Sequence, residues 1–355
     1  MTINLNQLEP QAVVDAFLKH PPLSFQVHSP SDFLPYFYTE FDLLTTLDTD
    51  LLKKIKSLPG YQIWGKLLHF KTCFIGTTVT EYSLLPNGLP LDSIADFLKN
   101  NDQKIKLGII KDLPLDSPLL SDLENNYSQT FIQEAEKKGF LSVEGQALAY
   151  VPIDFLSREE YLSRLSKPRR KNFKRKLKSL NELNIEQLCT GDERFNDHEF
   201  RTYLYELYLA VYHQSEIHFD LLSPEFFSEI LQDVHSGGKV FLYWADTTLV
   251  GYNICYEYKD NLVDKYIGLN YPLAKDYNLY FISWFVNLDY ALANNLKFYI
   301  AGWTDPEVKA QLGAKFTFTR HLVWIHSPAL RFILKKLRPL FEADHQWHVK
   351  QETRS

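Results

Sequence analysis

Cysteine is scarce: 355 residues hold only Cys73, Cys189 and Cys255, far apart and with no C-x-x-C pair. That excludes a disulfide framework and a cysteine zinc site, and makes a reducing compartment the expected setting. No run of roughly 18 apolar residues occurs, so no helical membrane span is expected. The opening MTINLNQLEPQAVV lacks the cationic-then-apolar order of a secretory leader, which points to a cytoplasmic protein. Charge of one sign is missing too. Lys and Arg number 38 against 44 Asp and Glu, a net -6 that speaks against a DNA-coating protein. The histidines show no ligand spacing: His213 and His218 stand five apart, and no H-E-x-x-H exists. Neither a metal nor a permanently bound cofactor is expected. G-x-S-x-G, Walker and G-x-G-x-x-G motifs are also absent. Cys73 and Cys255 fall in strand-like runs and read as buried, not nucleophilic.

What is present is ample core material, 45% hydrophobic and 15% aromatic, in a chain long enough for about two domains at ~150 residues each. A short helix is expected over 4–19, followed by a Pro- and aromatic-rich passage. Residues 61–85 alternate like two or three strands, 91–100 like a helix, 106–114 like a buried strand, 117–139 like a helix and 147–154 like a strand. In the second half, helices over 197–216 and 223–235 precede three alternating strands in 239–270. A helix over about 278–295 and strands at 297–302 and 316–327 follow, then a basic amphipathic helix at 328–341. Strands–helix–strand thus occurs at 61–111 and again at 239–302, a weak internal duplication. The class is α/β with a mixed sheet. The expected division is an N-terminal lobe at 1–155, a basic connector at 156–182, a C-terminal lobe at 183–327 and a helical tail at 328–355.

The connector is compositionally abrupt, with eight Lys or Arg between 167 and 178. Ser157 followed by Glu160 is a capping-box signature. Leu162, Leu165, Phe173, Leu177 and Leu180 give the segment an apolar seam, so a packed helix pair with a positive outer face is expected.

Three strands, a helix, a strand and a further strand is the order of the GNAT acyltransferase fold. The stretch KYIGLNYPLAKDYNLYFISWFVNLDYALANNLKFYIAG resembles the core of its FemAB-like branch. There a strand carrying Tyr266, Gly268 and Asn270 precedes a helix with Trp284 and Ala291 and a strand ending in Gly302. Glu307-Val308-Lys309 before Leu312-Gly313-Ala314 resembles that branch's lysine ahead of a glycine turn. The basic segment YLSRLSKPRRKNFKRKLKSL and the strand pair around Gly251 resemble it too, so the likeness spans about 155–327. It implies two GNAT-like lobes, the second catalytic, and an N-acyltransferase using acyl-CoA as co-substrate. Aminoacyl-tRNA, as in FemX-type enzymes, is the alternative donor, and a non-catalytic scaffold binding a partner or membrane the other alternative. One departure bears on the donor: the loop at 270–279, NYPLAKDYNL, lacks the glycines of the CoA-binding signature.

Acyl transfer to an amine needs a base, oxyanion donors and screening of the leaving group. On the strand at 263–269, alternation places Asp264 and Tyr266 on one face, as candidate base and as acid or positioning hydroxyl. The resemblance gives Lys309 a charge role. Lys265, Gly268, Asn270, Lys275 and Trp284 are the candidate donor-binding residues, with Lys275 the cation that could offset the missing glycines. Trp303, Asp305 and Glu307 are candidate walls of the pocket for a small-molecule or peptide amine. Arg169, Arg170, Lys171, Lys174 and Arg175 would meet CoA or tRNA phosphates, or an anionic membrane together with Arg331, Lys335, Lys336 and Arg338. Each of these surfaces also reads as an ordinary solvated face.

Overall fold

The computed structural model describes residues 4–30, 33–44, 49–88, 91–100, 105–215 and 219–337. In chain order the first elements are α1 (Gln11–Lys19), β1 (Gln26–His28), β2 (Tyr36–Asp42), α2 (Thr49–Lys56), α3 (Tyr61–Trp64), β3 (His69–Ile75), α4 (Leu91–Lys99), β4 (Leu107–Leu115), α5 (Asp122–Lys137) and β5 (Leu141–Pro152). Then come α6 (Arg158–Ser163), α7 (Lys167–Lys176), β6 (Asn184–Cys189), α8 (His198–Gln214), α9 (Pro224–Gln232), β7 (Lys239–Ala245), β8 (Thr248–Tyr258) and β9 (Asn261–Leu269). The last are α10 (Leu273–Asp276), α11 (Leu279–Ala293), β10 (Phe298–Gly302), α12 (Pro306–Leu312), β11 (Lys315–Ile325) and α13 (Pro328–Leu337).

The chain forms two compact units. One comprises residues 1–7, 24–148 and 317–355; the other comprises 8–23 and 149–316. By contact, α1 joins the second unit and most of β11 the first, whereas the linear division placed each in the other lobe.

In the first unit β1, β2 and β3 run antiparallel, α4 follows, and β4 returns parallel to β3 with Thr72 opposite Leu107. β11 then pairs antiparallel with β4. The strands expected across 61–85 shrink to β3 alone. Residues 61–68 are helical turns, opened by Gly60 at φ +74 and fastened by the Trp64 indole donating to the Pro59 carbonyl at 3.1 Å. Their aromatic content imitates a strand because the rings pack on each other: Tyr61 meets Trp64 edge-on at 5.1 Å.

The second unit repeats the order. β6 to β9 run antiparallel in sequence, with α8 and α9 between β6 and β7, and β10 lies parallel to β9 after α10 and α11. Residues Ala149–Pro152 of β5 complete this sheet against β10. Its two faces differ in cover. α11 reads LYFISWFVNLDYALA, apolar nearly all round, so it is buried over one face with Phe281, Trp284 and Phe285 in its core. On the other face α8 and α9 present Leu207, Phe226 and Phe227. The basic segment is the expected helix pair. Ser157 caps α6 by accepting from the Glu160 N–H at 3.1 Å, while Phe173 anchors α7 against Phe281 at 4.8 Å. Among the described residues no helix is long and apolar enough to cross a membrane.

Candidate active site

The site begins with a register shift. Ile254 lies opposite Tyr266 but Cys255 lies opposite Asp264, so Lys265 is one residue more than β8 can match. Such a bulge inverts the alternation of side chains along a strand. Asp264 therefore turns toward α11, while Tyr266 turns the other way, edge-on to Phe226 and Phe227. The reading that places both on one face is corrected: simple period-2 counting does not see the extra residue. Tyr266 sits among aromatic rings, away from the carboxylate it was expected to assist.

Around Asp264 the interior is unusually polar. Its Oδ2 accepts from Asn287 Nδ2 and from the Tyr299 hydroxyl, both at 2.9 Å, and its Oδ1 is met by Cys255 Sγ at 3.6 Å. Asn287 Oδ1 in turn accepts from Asn253 Nδ2 at 3.0 Å, and Asn253 Oδ1 from the Tyr243 hydroxyl at 2.6 Å. Asn253 and Asn287 are each fully buried. A buried amide without partners is costly, so the chain of donors locks every member in place. Burial pushes the Asp264 carboxyl up to about 6, against the opposing pull of the Tyr299 hydrogen bond and the Lys309 charge. Burial and the same carboxylate raise the Cys255 thiol and the Tyr299 phenol, keeping both as neutral donors. Oδ2 is thus saturated, and Oδ1 is the less encumbered oxygen.

Beyond Val263 and Ile300 the parallel pairing of β9 and β10 stops, although β9 continues to Leu269 and β10 to Gly302. Half-buried Asp264 follows the last paired residue of β9, and Gly302 lies two residues past the last pair of β10. A Cβ placed on Gly302 would lie 3.9 Å from both the Asp264 carbonyl oxygen and Lys309 Nζ. Lys309 is 4% exposed, so it is no solvated surface lysine. α12 carries it, and the helix ends at Gly313 with φ +104, where Tyr161 donates to the Leu312 carbonyl at 2.6 Å. A Cβ on Gly313 would stand 2.6 Å from the Tyr161 hydroxyl oxygen. Gly313→Ala is therefore expected to lower stability by more than about 1 kcal/mol, read as a fall in the urea midpoint at unchanged slope.

The other expected residues divide. Lys265 is spent on an ion pair with buried Glu9 at 3.3 Å. Gly268 is packed beneath Tyr252 and Leu207 on the α8 side. Asn270 Nδ2 ties the loop to the Leu249 carbonyl at 3.3 Å and the Tyr203 hydroxyl at 3.4 Å. Lys275 is exposed, its Nζ 5.4 Å above the Tyr271 ring. Trp284 is buried, edge-on to Tyr299 at 5.1 Å. Trp303 and Asp305 lie on the β10–α12 loop beside Gly302, and Glu307 is exposed in the first turn of α12. On α7, Lys171, Lys174 and Arg175 face solvent, Arg170 reaches the Ser163 carbonyl at 3.2 Å and Arg169 the Ala310 carbonyl of α12 at 3.4 Å. The basic helix is therefore a neighbour of the helix that carries Lys309. His218 and Arg338 lie outside the described residues, and among those described no cluster of His, Cys, Asp or Glu could hold a metal.

The structure brings in Asn253, Cys255, Asn287, Tyr299 and Tyr243, which the sequence reading had not placed in a site. A signal existed: Asn253 and Asn287 are lone amides inside apolar runs. A shallow groove of about 470 Å³ over β6, β7 and the C-terminal half of α11 includes none of these residues.

The architecture has solved counterparts. Residues of FemX superpose with a TM-score of 0.52 at 12% identity, over 92% of this chain and 98% of that one. The C-terminal domain (DUF2156) of a lysylphosphatidylglycerol synthetase, described as putative, from Agrobacterium fabrum gives 0.52 at 10% identity, over 91% and 93%. L-PGS from Bacillus licheniformis gives 0.50 at 10%, over 93% and 97%. No curated protein sequence matches the chain significantly. A family model does, across residues 109–352, which include every residue of the Asp264 network and Lys309. That match makes this chain a member of the FemAB-like family, described as proteins of peptidoglycan biosynthesis and recognition.

Proposed function

We propose that the chain transfers an acyl or aminoacyl group to an amine, with Asp264 taking the proton of the attacking nitrogen. The observation that carries this reading is a carboxyl poised near 6 at the residue where the β9–β10 pairing ends, beside a buried ammonium. The nitrogen would attack the carbonyl carbon. The new N–C bond forms as the donor's ester or thioester bond breaks, and the nitrogen's proton passes to Asp264 Oδ1. Lys309 would offset the charge that develops on the carbonyl oxygen and leaving group. Asn287 and Tyr299 hold the carboxylate in one orientation, which is where much of the acceleration in such a direct transfer lies.

For the donor, the loop before α11 favours aminoacyl-tRNA over acyl-CoA. A pyrophosphate cradle needs convergent backbone N–H groups. Here the N–H groups of Ala274, Lys275, Asp276, Tyr277 and Asn278 all donate to carbonyls of residues 270–275. The exposed cations of α7 suit a polyanionic donor and lie next to α12. The family description and the lysylphosphatidylglycerol name of one solved relative suit an aminoacyl group and a peptidoglycan peptide amine.

The test offers purified protein a lysine-containing peptidoglycan peptide with radiolabelled aminoacyl-tRNAs or with acetyl- and longer acyl-CoAs. Transfer from aminoacyl-tRNA, falling steeply with salt, is the expected result. Transfer from acyl-CoA alone would overturn the donor assignment and leave the role of Asp264 standing. Transfer from neither would favour a non-catalytic scaffold and overturn the proposal.

A further inference from the structure

One end of the first unit is basic, apolar and exposed at once. From the start of α2, residues 49–80 contain five lysines against one acid, Asp50, and 328–337 contain Arg331, Lys335 and Lys336 with no acid. The strand register brings these segments to the same end of the sheet. β3 starts at His69, directly after the helical turns of residues 61–68, and β4 starts at Leu107. β11 ends at Ile325, which pairs with Leu107 and leads into α13. Leu330 and Leu334 of α13 then pack on Phe70, Leu107 and Ile325.

With that inner face buried, α13 turns Phe332 and Ile333 outward at 62% and 51% exposure, flanked by exposed Lys335 and Lys336. The turns before β3 do likewise. Ile63 is 81% exposed and Leu58 51%, beside the Tyr61–Trp64 ring pair and exposed Lys53, Lys54, Lys56 and Lys66. The acid nearest this end of β2, Asp42, is met by His69 at 3.7 Å. Isolated apolar residues on a surface need no explanation, but aliphatic and aromatic side chains ringed by cations of one sign do.

We propose that this end of the first unit docks on an anionic lipid surface. Exposed Ile and Leu gain by entering the headgroup–acyl boundary, tyrosine and tryptophan favour that depth, and lysines are drawn to anionic headgroups. RNA could stack on Phe332, Tyr61 and Trp64 but would leave Ile63, Ile333 and Leu58 in water, so it fits less well. A second copy would bring lysines against lysines. The surface is independent of the transfer reading, since it shares no residue with the Asp264 site.

The test is cosedimentation of the full chain with phosphatidylcholine vesicles, with and without about one third phosphatidylglycerol. Binding is expected only with the anionic lipid, and it should weaken with salt. Ile63→Ser with Phe332→Ser should lower the partition at least about tenfold. Lys53→Gln, Lys54→Gln and Lys56→Gln together should lower it by about fivefold per lysine. All five positions sit on the surface, so thermal midpoints should be unchanged. Asp264→Asn should bind vesicles like the parent, which separates this surface from the catalytic reading. Equal binding to neutral vesicles, or variants that bind like the parent, would overturn the proposal. So would no vesicle binding at all, whether the lysine variant instead loses affinity for a short RNA or the serine variant dissolves a dimer.

Discussion

Asp264→Asn is expected to lower the transfer rate by about 10²–10⁴-fold, the range for loss of a general base, while leaving the protein folded. The fold should tolerate it because asparagine keeps the shape, and its carbonyl can accept the Asn287 and Tyr299 donors now at 2.9 Å. Stability should even rise at neutral pH. Because burial lifts the carboxyl to about 6, the folded state holds that proton more tightly than the unfolded chain does. Ionising Asp264 therefore costs stability, with the cost absent below the ordinary carboxylate range and complete above about pH 6. The variant escapes it. It should exceed the parent by on the order of 2 kcal/mol at pH 7, and the gap should close as pH falls from 6 to 4. Urea denaturation across that range checks it; a variant less stable at pH 7 than at pH 4, relative to the parent, would contradict the sign.

Lys309→Met is the second large effect. The buried ammonium holds the Asp264 carboxyl below where burial alone would put it, so its removal should move that carboxyl above 6. Two consequences separate in an assay. The acidic limb of the rate profile should shift to higher pH, because the base is harder to ionise. A further loss of about 10²–10³-fold should persist on the alkaline plateau, where Asp264 is ionised but the developing negative charge lacks its counter-charge. Methionine fills similar space, so a rate loss without a limb shift would mean that Lys309 acts on substrate alone. An unchanged plateau would remove it from the chemistry.

Much of the second unit was legible because its signals are local. The alternating strands in 239–270, the apolar helix after them and the strand ending at Gly302 follow from side-chain period and turn residues. The Ser157 cap did too. Non-local pairing hid the rest. Whether Asp264 and Tyr266 share a face depends on one unmatched residue, Lys265, which only the partner strand β8 reveals. The burial of Lys309 depends on how α12 folds back over Gly302, and no pattern within 306–312 encodes that. Asn253 and Asn287 were visible as amides in apolar runs, yet their meaning required knowing that β8 and α11 face each other. In the first unit, the aromatic density of 61–68 imitated a strand because ring-on-ring packing and alternation draw on the same residues.

The central claim is that an ionised Asp264 accepts the proton of the attacking amine. The pH dependence of kcat/KM for the parent chain, with whichever donor the transfer assay selects, tests it most directly. The account predicts activity rising with pH along a limb centred at about 6, with no such limb in the residual activity of Asp264→Asn. A limb that stays in the variant, or a parent profile flat between pH 5 and 7, would contradict it.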